Sequence, residues 1–198
     1  MRIARLAVGG PYVVRKTLAV EAARHAALGD LEAARELAGR FASLVAAEEQ
    51  RALRAAEALD RWADGRASGE GERGMAISAA AERVGASTTA LRDWERNGLI
   101  AVRRDPRNGY RTYTTADVDR LRVIRTLLRA RYSAMSILRM MTHLDRGGAE
   151  VPSIVIDAPR GDETVYSATD RWRSSLREAG VRAERLLSAI GRLMTNPD

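Results

Sequence analysis

Between residues 87 and 111 the side chains that can do chemistry are hydroxyls and guanidinium groups, set at regular spacing. Thr88, Thr89, Arg92 and Arg96 fall on the polar faces of a helix whose other side carries Leu91 and Trp94, three residues apart. A hydroxyl exchanges hydrogen bonds or meets a thymine methyl, and an arginine fork clamps guanine or phosphate, so this face has the donors that read a nucleic acid. Ser87, just before it, is a good N-cap. Asp93 interrupts the pattern: a carboxylate beside phosphates repels them, so it either accepts from cytosine or pairs with Arg96 or an arginine further on. Trp94 reads as a core anchor, with contact to a sugar-phosphate backbone as the alternative. A second cluster follows, with Arg103, Arg104 and Arg107 leading into Asn108-Gly109 and then Tyr110 and Arg111. Two of the three arginines are expected to touch a polyanion, and Asn108 to shape a turn more than to read a base.

The charge balance points the same way once it is located. The chain of 198 residues carries a net +7, divided as +1 over residues 1–74, +7 over 75–148 and −1 over 149–198. The middle segment holds 14 arginines against 7 acidic residues. A coding bias toward arginine would enrich the whole chain, whereas a polyanion-binding surface concentrates the surplus. Other chemistries find no footing. Cysteine is absent, which removes disulfides, thiolate metal sites and thiol redox sensing. His25 and His143 have no partners at ligand spacing, so no metal and no cofactor is expected. Glu48-Glu49 reads as the wet face of a helix, and no phosphate loop, nucleophile elbow or HExxH occurs, so an enzyme is not expected. No apolar run is long enough to span a bilayer and the N-terminus does not look like a signal peptide, which makes a cytoplasmic, nucleoid-associated protein the expectation.

The elements that must position these residues are mainly helical. Residues 12–28 and 31–65 read as two arms of a helical hairpin, broken at Gly29-Asp30, with Leu31, Ala34, Leu37, Phe41 and Leu44 recurring at three and four. The stretch DGRASGEGERG then has no apolar period and reads as a linker. The domains expected are therefore a hairpin domain at 1–66, a linker at 67–74, a DNA-binding domain at 75–144 and a C-terminal segment at 145–198. From Met75 two short helices, Ile77 to Val84 and Ser87 to about Asn97, meet at Gly85-Ala86 in the outline of a helix-turn-helix. Ile100 to Arg103 and Arg111 to Tyr113 are predicted as the strands of a small β-wing around Gly109. Thr114 with Asp117 forms an acidic variant of the capping box before a helix carrying Val118, Leu121, Ile124 and Leu127, and another helix follows over Ser133 to Leu144. Ser153–Asp157 and Glu163–Tyr166 are predicted as a β-hairpin. In the last helix Trp172, Leu176, Ala179, Ala183, Leu186, Ile190 and Leu193 repeat at alternating four and three, the narrow seam of a coiled coil. Such a seam needs a partner, either the N-terminal hairpin of the same chain or the same helix of a second copy.

GASTTALRDWERNGLI followed by RRDPRNGYRTYTTADVDRLRVIRTL resembles the DNA-binding domain of the MerR family of bacterial transcription regulators. That family combines a helix-turn-helix, an L-R-aromatic-aromatic-E segment, a wing ending G-Y-R-x-Y and a helix rich in L-R-x-I. The resemblance covers residues 75–144. The N-terminal 66 residues are a departure from it, as are Asp93 at an aromatic position, Thr89 at a position often basic, and Arg131 where relatives have glycine. That last site must either keep ordinary helical angles or hold a strained residue.

The resemblance implies a winged helix-turn-helix, with Arg92 contacting DNA and Tyr110 and Arg111 binding phosphate or reaching the minor groove. It also implies a homodimer joined antiparallel through the Trp172–Leu193 seam on a palindromic operator, bending and untwisting a badly spaced promoter so that RNA polymerase holoenzyme engages it. With cysteine missing, the signal is a small organic effector, a protein partner, or none. Phe41, Trp62 and Trp172 are the residues that would line an effector pocket, unless they fill a helical core. Two rival readings are an architectural or excisionase-like DNA binder and a protein-interaction module with a degenerate DNA reader.

Overall fold

The computed structural model describes residues 16–65, 74–158 and 171–195, and they form two compact units. The first holds the described residues up to Leu53 together with the C-terminal helix. In it α1 (Lys16–Ala27) and α2 (Leu31–Asp64) are separated at Gly29, and the Asp30 carboxylate accepts from the Ala33 N–H at 3.3 Å, as an N-cap should. The third member is the last helix, α8 (Trp172–Thr195). α1 packs against α8, and its inward face is all alanine: Ala19, Ala22, Ala23 and Ala26. Methyl side chains let two helix backbones come close. α2 reaches α8 as well, with Glu49 beside Gly180.

Most of the predicted coiled-coil seam is covered within the single chain. Trp172, Leu176, Ala179, Ala183, Leu186 and Ile190 are all buried within the single chain, and Leu193 is 37% exposed. α1 is one of the elements packed against α8.

The second unit takes in the last turns of α2 and the described residues from Gly74 to Ala158. α3 (Ile77–Val84) ends at Gly85, α4 (Thr88–Arg96) follows, and α5 (Thr115–Arg129) packs across α3. Their shared core contains Ala80, Ala81, Val84, Leu91, Ile100, Tyr113, Val118 and Leu121, with Trp94 partly buried against it. Trp94 is therefore a packing residue. The capping box is present: the Thr114 hydroxyl accepts from Asp117 N–H and the Asp117 carboxylate accepts from Thr114 N–H at 2.8 Å. At the end of α5, Arg131 takes φ 67°, so of the two alternatives at this departure the strained one is found. α6 (Ala134–Asp145) begins with Ser133 as N-cap.

Two predicted elements are corrected. The wing strands are shorter than predicted, β1 (Arg103–Arg104) against β2 (Arg111–Thr112), antiparallel with Arg103 opposite Thr112 and Arg104 opposite Arg111. Ile100 is drawn into the core instead of joining the ladder, and Tyr113 pairs with Met75 in an isolated bridge. Ser153–Asp157 is not a strand. Pro152 opens a helical turn, α7 (Pro152–Val155), where its fixed φ suits the first helical position, and the Asp60 carboxylate accepts from Ser153 N–H at 2.8 Å. Glu163–Tyr166 and, Gly74 apart, the linker 67–74 lie outside the described residues.

Candidate nucleic-acid interface

The polar face of α4 is built by the turn that precedes it. Gly85 sits at φ 70°, a left-handed angle that calls for glycine, with the movable Arg125 guanidinium lying over it. Ser87 then caps α4, its hydroxyl accepting from Ala90 N–H at 3.1 Å. With Leu91 buried, Thr89, Arg92 and Arg96 are exposed, and Thr88 and Asp93 are half-buried. Asp93 pairs with Arg96 at 3.2 Å, one of the two alternatives its chemistry left open, and this neutralises a carboxylate on a face otherwise suited to phosphate.

The wing tip is shaped by its own polar side chains. Asn108 Oδ1 accepts from Tyr110 N–H at 2.9 Å, Asp105 Oδ1 accepts from Arg107 N–H at 2.8 Å, and Gly109 takes φ 73°. Arg104 donates to the Gly109 carbonyl at 3.2 Å, so part of its guanidinium braces the turn. Arg103 and Arg107 are exposed, and Tyr110 is 74% exposed, an aromatic ring held in solvent at the tip.

Wing and helix are joined by a pair that sequence reading missed. Arg111 Nε donates to Glu95 Oε2 at 2.5 Å, both side chains being mostly shielded from water. That hydrogen bond raises the Arg111 pKa further above its ordinary value. Tyr113, two residues on, is fully buried with no hydrogen-bond partner for its hydroxyl among the described residues, and burial pushes its phenol up. The signal for Glu95 was its place after the aromatic in DWER, but nothing local to residue 95 names a partner 16 residues away.

Other arginines of the basic segment also hold the unit together. Arg120 makes a bidentate pair with Asp145 at 2.6 and 2.8 Å and donates to the Leu99 carbonyl, clamping α5, α6 and the end of the helix-turn-helix. Arg122 donates twice to the Arg83 carbonyl at the end of α3 and pairs with Asp119. The cationic surplus thus has two uses, bracing within the unit and exposure around α4 and the wing.

Residues 75–144 match the family described as MerR HTH family regulatory protein. This segment is a MerR HTH domain. A curated relative, a probable heavy metal-dependent transcriptional regulator of Haemophilus influenzae, is 38% identical to the chain over 71 residues. The match takes in 36% of this chain and 56% of the relative, so the chain spans little more than half the length of the curated protein it matches. No solved structure matches the chain.

Within the MerR domain the expected DNA-contacting residues fall on two elements, Ser87, Thr88, Thr89, Arg92, Asp93, Arg96 and the half-buried Trp94 on or at the start of α4, and Arg103, Arg104, Arg107, Asn108, Tyr110 and Arg111 on the wing. Outside it, Phe41 and Trp172 are buried in the first unit, while Trp62 is half-buried in the second. Among the described residues no group of three His, Asp or Glu is placed to hold a metal ion, and no helix is long and apolar enough to cross a membrane.

Proposed function

We propose that the chain is a sequence-specific double-stranded DNA-binding transcription regulator of the MerR type. The single observation that carries this reading is the face of α4 in the MerR domain: Thr89 and Arg92 lie exposed on a helix capped, braced from behind, and flanked by a basic wing. α4 enters the major groove with its N-terminal half against base edges, and the wing runs along the adjoining backbone. Arg92 is the base-reading or phosphate-clamping residue, Thr88 and Thr89 contact bases or thymine methyls, and Arg103, Arg107 and Tyr110 meet phosphates. Asp93, held on Arg96, orients that arginine instead of facing the duplex.

By the resemblance, two such units occupy the halves of a palindromic promoter site, and the deformation they impose lets RNA polymerase holoenzyme engage it. Fixed spacing between helix and wing supports that step, because a rigid pair of contacts can bend DNA at a cost offset by added phosphate contacts. The heavy metal in the relative's name belongs to that relative. This chain has no cysteine to offer a soft metal, so its signal is an organic effector, a protein partner, or none.

The test is selection of bound genomic DNA, followed by titration of the selected duplex with wild type and Arg92→Ala. A loss of about 1–3 kcal/mol for the variant is expected. Equal affinity for both, or no enriched site, overturns the reading.

A further inference from the structure

Taking the chain as the DNA-binding regulator proposed from α4, we infer that Asp93 is a specificity-determining residue. By holding the Arg96 guanidinium it withholds a phosphate contact from DNA of any sequence, and so widens the gap in affinity between operator and random duplex. It acts through Arg96, as a positioning residue, and touches no base.

α4 is electrically neutral. Its nine residues hold two arginines, Arg92 and Arg96, and two carboxylates, Asp93 and Glu95. Glu95 is turned to the wing, where it pairs with Arg111 at 2.5 Å, and Asp93 pairs with Arg96 at 3.2 Å. Among the described residues this leaves Arg92 as the cation of α4 with no carboxylate on it, whereas the wing keeps Arg103, Arg104 and Arg107 against Asp105 alone. Charge that seeks phosphate is thus concentrated on the wing, and the helix offers hydroxyls and one unencumbered arginine.

Helix stability does not account for Asp93. It lies in the last turn of α4, where a negative charge opposes the helix dipole. Arg96 and Asp93 are 76% and 45% exposed, a setting in which an ion pair contributes little to folding. What the pair changes is the surface that α4 presents. A guanidinium shared with a carboxylate gives up part of its attraction for phosphate, and the carboxylate repels any phosphate that comes close.

The two kinds of DNA feel this differently. On random sequence α4 gains no base contacts and affinity is the sum of phosphate contacts, so a withheld cation counts in full. On the operator Thr89 and Arg92 fix the register against base edges, and the Asp93–Arg96 pair, one turn further along the helix, stays closed at no cost.

Titration of the selected operator duplex and of a random-sequence duplex of equal length, each at several salt concentrations, tests the role of Asp93. Asp93→Asn frees Arg96 and is expected to bind the random duplex about fivefold more tightly, with the slope of log K against log salt steeper by about 0.9, the value of one added phosphate contact. Operator binding is expected to gain less than about twofold, so that preference for the operator falls by more than half. Asp93→Glu, which keeps the charge, is expected to retain the wild-type preference. In the Arg96→Gln background the gain from Asp93→Asn on random duplex is expected to fall below about twofold, because the cation to be freed is gone. Both positions lie at the surface, and helical circular dichroism checks that each variant is folded. An equal gain on both duplexes, no gain on random sequence, or a full gain without Arg96 overturns the inference. So does a loss on the operator alone, which would make Asp93 a cytosine reader. A wild type that binds both duplexes alike overturns the DNA-binding reading and this inference with it, whereas the other failures leave that reading standing.

Discussion

Tyr113 shows how a residue can be set by its neighbours against its own preference. Its ring fills the core between α3, α4 and α5, but its hydroxyl is carried in without a partner, a cost of about 1–3 kcal/mol for an unsatisfied buried group. Tyr113→Phe is therefore expected to raise stability by about 1 kcal/mol, read as a higher urea midpoint with unchanged slope; a lower midpoint would mean the hydroxyl has a partner in solution. The same burial raises the phenol's pKa in the folded state. The wild-type contribution is fully present below the ordinary tyrosine pKa and is lost as pH rises through the raised folded value, so alkaline unfolding should begin later in the Phe variant. Local features of this kind were legible in the sequence where all partners lie within one turn. Thr114 with Asp117, Ser87, and Asn108 at the turn were readable because capping and Asx turns are set by neighbouring residues. Thr114→Ala, which removes the hydroxyl of that box, is expected to lower stability by about 1 kcal/mol in the same urea titration. Arg120 with Asp145 was not legible, since 25 residues separate them and many other pairs satisfy charge equally well.

Elements were legible as far as periodicity reaches. A heptad repeat reports that a face of α8 is buried and leaves open what buries it. The chain's own hairpin and a second copy satisfy the same spacing, so the repeat alone does not choose between them; in the single chain α1 lies on α8. The predicted strand at Ser153 failed for a related reason: a three-residue apolar run, Ile154 to Ile156, fits a strand or a helical turn, and Pro152 with the Asp60 cap decides for the turn. The wing is the element on which function turns. Two residues per strand make a weak ladder, so its angle to α4 depends on Arg111 and Glu95 more than on its own hydrogen bonds. Glu95→Gln keeps the shape and removes the charge. It is expected to weaken operator binding about tenfold, close to 1.4 kcal/mol, although Glu95 faces the wing. Its salt dependence should match the wild type, because no phosphate contact is removed. A gain in affinity, as from simple loss of a negative charge near DNA, would show that the pair does not hold the wing.

For the whole molecule the net charge and its location in the middle segment pointed to a polyanion partner, but the count overstated the contact surface. Of the 14 arginines there, Arg120 and Arg122 are bound to carboxylates and carbonyls of the same unit and Arg111 to Glu95. Arg125 lies over the Gly85 turn. Those exposed around α4 and the wing are Arg92, Arg96, Arg103, Arg104 and Arg107, with Arg96 shared with Asp93 and Arg104 with the Gly109 carbonyl. If each cation facing the duplex displaces about one counterion, a single winged unit should show a slope of log K against log salt of about −4, since each phosphate contributes about −0.9. Neutralisation by all 14 would require a slope near −13. Titrating a selected half-site duplex at several salt concentrations separates the two. A slope near −4 means that most of the arginine surplus braces the scaffold, and that specificity rests on the few side chains α4 presents. A slope steeper than about −8 would place the α5 arginines on the DNA and would require their intramolecular pairs to open when the complex forms.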